Sequence, residues 1–196
     1  MIIGVLAAQG AFAEHIATLK KLKVDARPVR LPAELEDLNG LIIPGGESTS
    51  ISKIMLSYDL TTKIKGLAAE GLAIFGTCAG MILLAKKISD DAQVVPLGLM
   101  DIAVRRNAFG RQVDSFEAEL EIPALGKKPF PGVFIRAPFI EETNGSVEII
   151  ARLADGTIVA VRQQRLLAAA FHPELTGDLR FHRYFLNKVC RRKKVN

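Results

Sequence analysis

The chain has two cysteines, and one of them, Cys78, sits in "FGTCAGM" between Gly76 and Gly80. The apolar run "LAIFGT" (72 to 77) precedes it and the helical pattern "MILLAKK" begins just after Gly80. A strand, a turn at the cysteine and a helix reproduce, with sulfur for oxygen, the Gly-x-nucleophile-x-Gly elbow of acyl-transfer enzymes. The flanking glycines have a physical purpose, because a turn that strains the nucleophile's backbone has no room for side chains on either side. The start of the helix then offers backbone N–H groups and a dipole that favours negative charge at a reacting carbonyl. A free cysteine is more commonly a small buried hydrophobe. Its place inside this turn argues for a nucleophile.

A thiol nucleophile needs a base, and "AAAFHPEL" (168 to 175) offers His172 with Glu174 two residues on. Along an extended chain, residues two apart point to the same side. Glu174 is therefore expected to orient the imidazole and stabilise it when protonated. His15 and His182 lie in helical patterns beside charged residues and are read as members of solvated faces. An oxyanion hole requires two donors, and the N–H groups of Ala79 and Gly46 are the candidates. Gly46 belongs to a second glycine turn, "PGGES" (44 to 48), where Ser48 or Thr49 is expected to cap the next helix. That turn lacks the Lys of a phosphate loop and is not G-x-G-x-x-G, so nucleotide binding is not indicated.

These residues need elements to carry them. "IIGVLAA" (2 to 8), "ARPVRL" (26 to 31), "GLIIPGG" (40 to 46) and "LAIFGT" read as strands, and "AFAEHIATLKKL", "STSISKIML" and "LTTKIKGLAAEG" as helices between them. Continuous apolar strands alternating with helices imply a parallel sheet covered on both faces. The second half changes to "LGLMDIAVRR", "SFEAELEIP", "GVFIRAP", "VEIIARL", "TIVAVRQ" and "RLLAAAFHP", strands with little helix until "TGDLRFHRYFLNKV" closes the pattern. The predicted fold is α/β and three-layered: a mostly parallel central sheet, helices on both faces, and some antiparallel strands in the second half. No linker interrupts it, so residues 1–196 are expected to form one domain. "RRNAFGRQVDSF" (105 to 116) has no clean period and is a candidate functional loop.

Composition narrows the function classes. The formal charge is +5, but four of the 26 basic residues are the "RRKK" of Arg191 to Lys194, and without them 22 basic residues face 21 acidic ones, a balance of +1. With no interleaving of basic and aromatic residues, nucleic acid is not an expected partner. Two cysteines make no disulfide framework, and the three histidines lack metal-ligand spacing. The expectation is no metal, no cofactor and a reducing cytoplasm. "MIIGVLAAQGAFAEH" lacks the basic start of a signal peptide, and "GLAIFGTCAGMILLA" is shorter than the ~20 residues of a membrane span.

Taken together, "FGTCAG", "FHPE" and "LIIPGGES" resemble the class I glutamine amidotransferases, flavodoxin-like enzymes in which a Cys-His-Glu triad hydrolyses the side-chain amide of glutamine. The segments "GVLAAQGAFAEH", "PGGEST", "RRNAFGRQVDSFE", "GVFIRAP" and "FHPELT", spread over residues 4 to 176, resemble more narrowly the glutaminase subunits of pyridoxal 5′-phosphate synthase. Members often have Gly where this chain has Ala8, and Cys190 is not a family feature. The resemblance implies that Cys78, His172 and Glu174 form the triad and that Gly46, Glu47, Ser48, Arg106, Ile135 and Arg136 contact glutamine. It also implies a partner, the synthase (lyase) subunit, in a large ring-shaped hetero-oligomer that receives the ammonia, with Gln9 and Gly10 near the interface. Two alternatives compete: a sister amidotransferase or stand-alone cysteine hydrolase, and a binding module with a vestigial elbow.

Overall fold

The computed structural model describes residues 1–89, 93–106 and 115–190. Most of the predicted loop at 105 to 116, and the whole "RRKK" tail, lie outside the described residues.

The first half alternates as its hydrophobic pattern requires. Strand β1 (Ile2–Leu6), helix α1 (Phe12–Lys21), β2 (Asp25–Val29), β3 (Gly40–Ile43), α2 (Ser48–Ser57), α3 (Leu60–Ala69), β4 (Ala73–Thr77) and α4 (Ala79–Leu84) follow in turn. Every residue of β3 and of β4 is buried, as expected for strands covered on both faces. The second half adds β5 (Ala85–Ile88), β6 (Met100–Arg105), β7 (Ser115–Leu120), β8 (Phe130–Ile135), β9 (Phe139–Thr143), β10 (Glu148–Arg152), β11 (Ile158–Gln163), β12 (Leu166–Ala169) and α5 (Arg180–Tyr184).

One ten-stranded sheet holds all but two of these strands, in the order β2-β1-β3-β4-β12-β11-β9-β6-β5, with β10 also paired to β11. From β2 to β12 every pairing is parallel. Direction reverses at β11, because only Gln164 and Arg165 join it to β12. A connection that short permits only an antiparallel hairpin, and Gln164 adopts φ 52° to make it. Strands β7 and β8 form a separate antiparallel ribbon. The expected architecture, a parallel sheet with some antiparallel strands in the second half, is the one observed, with β5 again parallel to β6.

One expectation needs correction. The helix after Gly80 ends at Leu84, and "AKK" enters β5, paired to β6. All six residues of α4 are buried, so the apolar string "MILLA" has no polar face from which its period, and hence its end, can be read. At the other terminus α5 continues into a π-helical segment, Phe185–Cys190, which still buries Phe185, Leu186, Val189 and Cys190. Beneath β4 these last helices build an aromatic cluster, with Phe75 5.6 Å from Phe181 and 5.4 Å from Phe185 between ring centres. That floor lies under the strand that ends at Cys78.

Candidate active site

Four parallel strands end on one edge of the sheet. The chain leaves β1 toward Gln9, β3 toward Gly45 and Gly46, β4 at Cys78, and β12 toward His172. In open α/β sheets this carboxyl edge is where ligands bind.

Cys78 adopts φ 48° and ψ −106°. A side chain in the left-handed half of the map is strained, and such strain is held only where surrounding structure fixes it. Its N–H donates to the carbonyl of Ala169 at 2.8 Å. The flanking glycines act through space and not through unusual dihedrals. A Cβ on Gly80 would lie 2.0 Å from the Ile43 carbonyl oxygen, and one on Gly76 would lie 2.5 Å from the Gly80 carbonyl. The two glycines let α4 press directly against β3 and β4.

His172 is anchored by its N–H to the carbonyl of Val133 at 2.8 Å. It does not continue an extended strand, as the two-residue spacing suggests, but begins a 3₁₀ turn, Pro173–Leu175. The turn brings Glu174 around so that Oε1 lies 2.7 Å from His172 Nδ1. Burial works against a charge on this imidazole, but hydrogen bonds and charge interactions with Cys78 and Glu174 outweigh it and raise His172 to about 10. Cys78 and His172 are each 7% exposed, while the Glu174 carboxylate is fully buried.

A cavity of about 400 Å³ opens over the sulfur. Cys78, Ala79, Ile82 and His172 line it together with Gly46, Glu47, Ser48, Arg106, Ile135 and Arg136. Every residue expected to bind substrate is thus gathered at the cysteine. The amides of the glycine turn are pinned on either side of Gly46: Gly45 N–H donates to Oγ1 of Thr77 at 3.1 Å and Glu47 N–H to Oε1 of Gln9 at 2.7 Å. Gln9 and Gly10 are exposed.

The cap of α2 is Glu47 and not Ser48 or Thr49. Its carboxylate accepts from the N–H groups of Thr49 at 3.0 Å and Ser50 at 2.6 Å, and Ser48 is the buried first residue of the helix. The Ser50 side chain and these amides hold the Glu47 carboxyl at about 2 against the effect of burial. Arg106 pairs with it at 3.5 Å, so the ion pair and the cavity share one arginine. Among the described residues no group of three metal-ligating side chains is present, and no helix is long and apolar enough to cross a membrane.

His15 and His182 overturn the reading of solvated faces. Both are fully buried. Nδ1 of His15 lies 2.9 Å from Nε2 of His182, and Nε2 of His15 lies 3.2 Å from Thr77 Oγ1 and 3.3 Å from Glu174 Oε2. A signal for this exists in the pattern: His15 falls on the apolar stripe of Phe12, Ile16, Leu19 and Leu22, and His182 stands three, four and seven residues before Phe185, Leu186 and Val189.

The other cysteine differs in kind. Burial pushes the Cys190 thiol up to about 12, against the nearby Arg165 charge.

The sequence pattern of the SNO glutamine amidotransferase family matches residues 5–191. This chain belongs to that family. Relatives of the amidotransferase include a protein of Dehalococcoides mccartyi, 60% identical over 95% of this chain and 96% of its own. Another, of Pelotomaculum thermopropionicum, is 58% identical over 97% and 96%. Both carry the name pyridoxal 5′-phosphate synthase subunit PdxT. A crystal structure described as a glutamine amidotransferase superposes with TM-score 0.90 at 50% identity, covering 95% of this chain and 97% of that one. A putative GMP synthase component of Thermoplasma acidophilum, at 17% identity and TM-score 0.70 over 97% and 94%, shares the fold alone.

The buried histidines of the amidotransferase have a measurable consequence. Burial lowers His182 from 6.5 to about 4, and burial first, then the neighbouring His182 and His172 charges, take His15 well below 6.5. Between pH 6.5 and 4 the unfolded chain therefore binds more protons, and native stability falls as pH falls through that window. His182 alone accounts for about 3 kcal/mol at the acid end. Urea unfolding at pH 7, 5.5 and 4.5 is expected to show this loss, with a shallower slope in His182→Leu; equal slopes in the two proteins contradict it.

Proposed function

We propose that this chain is the glutaminase subunit of a pyridoxal 5′-phosphate synthase, hydrolysing L-glutamine to L-glutamate and ammonia through Cys78, His172 and Glu174. The observation that carries the reading is the strained Cys78, facing an imidazole whose far nitrogen is held by Glu174, at the wall of a cavity of about 400 Å³. Relatives named as a subunit of that synthase support the assignment.

In this mechanism the Cys78 thiol gives its proton to His172, the sulfur attacks the side-chain amide carbon, and the N–H groups of Ala79 and Gly46 receive the oxyanion. Collapse of the tetrahedral intermediate breaks the C–N bond, and His172 delivers a proton to the departing ammonia. A glutamyl thioester remains. His172 then takes a proton from water, hydroxide attacks the thioester carbon, and glutamate leaves as the sulfur recovers its charge. Glu174 keeps the ring in the required tautomer throughout. Arg106 and Arg136 offer planar forks to the substrate α-carboxylate, Glu47 a counter-charge for its ammonium, and Ser48 and Ile135 complete the walls.

Ammonia is useful only when delivered before it is protonated and escapes, so a separate synthase (lyase) subunit in a large hetero-oligomer is the proposed recipient, in the cytoplasm. Exposed Gln9 and Gly10 are the proposed contact. Gln9 holds the Glu47 amide beside Gly46, so pressure on Gln9 is transmitted to the oxyanion turn. Residues 1–196 act in this account as one amidotransferase domain without a cofactor. The test is ammonia release from glutamine by the purified chain, first alone and then mixed with its synthase partner. Stimulation by the partner supports the proposal, whereas equal rates with and without it indicate a stand-alone hydrolase, and no release in either case contradicts glutaminase activity.

A further inference from the structure

Glu174 has two carboxylate oxygens, and His172 engages one. The other, Oε2, is buried and has no well-aligned hydrogen-bond donor among the described residues. A buried carboxylate oxygen left without a donor is costly, because its hydration is lost and nothing replaces it. The nitrogen that faces it is Nε2 of His15, 3.3 Å away, which lines up better with the Thr77 hydroxyl at 3.2 Å. Behind His15 stands His182, whose Nε2 meets His15 Nδ1 at 2.9 Å and whose own Nδ1 is buried with no partner among the described residues.

Burial keeps both rings neutral near pH 7, so each has one N–H and one bare nitrogen. Two arrangements satisfy the contact between them. In the first, His182 Nε2–H donates to His15 Nδ1, and His15 Nε2–H points at Glu174 and Thr77. The nitrogen without a partner, His182 Nδ1, is then a bare lone pair. In the second, His15 Nδ1–H donates to His182 Nε2. That choice buries an N–H of His182 with no acceptor and sets the lone pair of His15 3.3 Å from a carboxylate. Both consequences are unfavourable, and the first arrangement has neither.

We propose that His15, locked as its Nε2–H tautomer by His182, is a positioning residue that holds Glu174 in line with His172. The inference rests on the glutaminase reading of Cys78, His172 and Glu174. His15 lies on α1 and is not part of the cavity wall, so it acts through Glu174 and touches no substrate. Thr77 joins the same network to the glycine turn, since its Oγ1 also accepts the Gly45 N–H. One buried cluster thus sets both the carboxylate and the turn that carries Gly46.

The experiment has two parts. Long-range ¹H–¹⁵N spectra of the histidine-labelled wild-type chain read the tautomers directly at pH 7: Nε2–H on both His15 and His182 is expected, and Nδ1–H or a doubly protonated ring on His15 overturns the proposal. Glutaminase kinetics in the presence of the synthase partner then compare His15→Leu with His15→Gln, whose side-chain amide nitrogen replaces the Nε2–H donor. His15→Leu is expected to lower kcat by about 10- to 100-fold with KM within about 2-fold, because a misplaced orienting group costs rate and not binding. His15→Gln is expected to recover kcat to within about 3-fold. Wild-type kcat in His15→Leu, or a loss that His15→Gln fails to recover, overturns it. If His15→Leu does not fold, the spectra and His15→Gln still decide. An inactive wild-type complex contradicts the glutaminase reading, while the spectra continue to judge the tautomer.

Discussion

Cys78→Ala is expected to remain folded and to lose glutamine hydrolysis by at least about 10⁴-fold, since the remaining groups bind substrate but have no atom with which to form the thioester. The substitution keeps the Cβ, so the strained φ of 48° is neither relieved nor worsened. The Cys78 N–H to Ala169 bond and the Cys78 carbonyl that accepts from Met81 and Ile82 are backbone interactions and survive. What disappears is the sulfur, with its interaction with His172 and its 3.8 Å hydrogen bond to the Ile135 carbonyl, a loss of about 1 kcal/mol. A urea midpoint near the wild-type value together with undetectable ammonia release is the predicted pair of results. Retained hydrolysis removes Cys78 as the nucleophile, and loss of folding shows that the sulfur has a structural role not evident from its contacts.

Gly80→Ala carries the largest expected effect on stability. The added methyl would sit 2.0 Å from the carbonyl oxygen and 2.8 Å from the carbonyl carbon of Ile43, in the middle of the sheet. A flexible side chain can turn aside; the backbone of a central strand paired on both edges cannot. Either α4 lifts away from β3, carrying Ala79 with it, or β3 bends and moves the Gly45–Gly46 turn. Overpacking of this kind typically costs about 1–3 kcal/mol, and here about 3 kcal/mol or more is expected because both contacting atoms are main chain. Gly66→Ala is the control, since nothing lies within 4 Å of the position its Cβ would take. Unfolding curves that place the two variants at the same midpoint contradict the packing argument.

The sequence is most informative where a local pattern has one physical solution. Apolar runs of four or five residues that alternate with amphipathic helical patterns read as covered strands, and β1, β3 and β4 appear where those runs lie. The glycines around Cys78 mark the elbow, although they serve close approach between elements, and the unusual dihedral belongs to Cys78 itself. Glu174 is legible in the sequence through a geometry that does not occur: the 3₁₀ turn at Pro173, and not an extended strand, brings it to His172. The end of α4 is illegible because an entirely buried helix shows no polar face. His15 and His182 mislead for a different reason. Adjacent Glu14 and Arg183 suggest solvent, while the helical stripe places both histidines inward, and the partners that make burial tolerable come from Thr77 and Glu174, 62 and 159 residues away from His15 in the chain. Such long-range polar pairing leaves no local trace.

The role of Cys78 is tested covalently, by treating the native chain with a glutamine-analogue electrophile, 6-diazo-5-oxo-L-norleucine, and mapping the adduct by peptide mass spectrometry. One adduct per chain is expected, on Cys78, formed more slowly when L-glutamine competes, with Cys190 unmodified behind its buried, high-pKa thiol. Labelling of Cys190 instead, or no labelling that glutamine can slow, would contradict the claim that Cys78 is the nucleophile of a glutamine site.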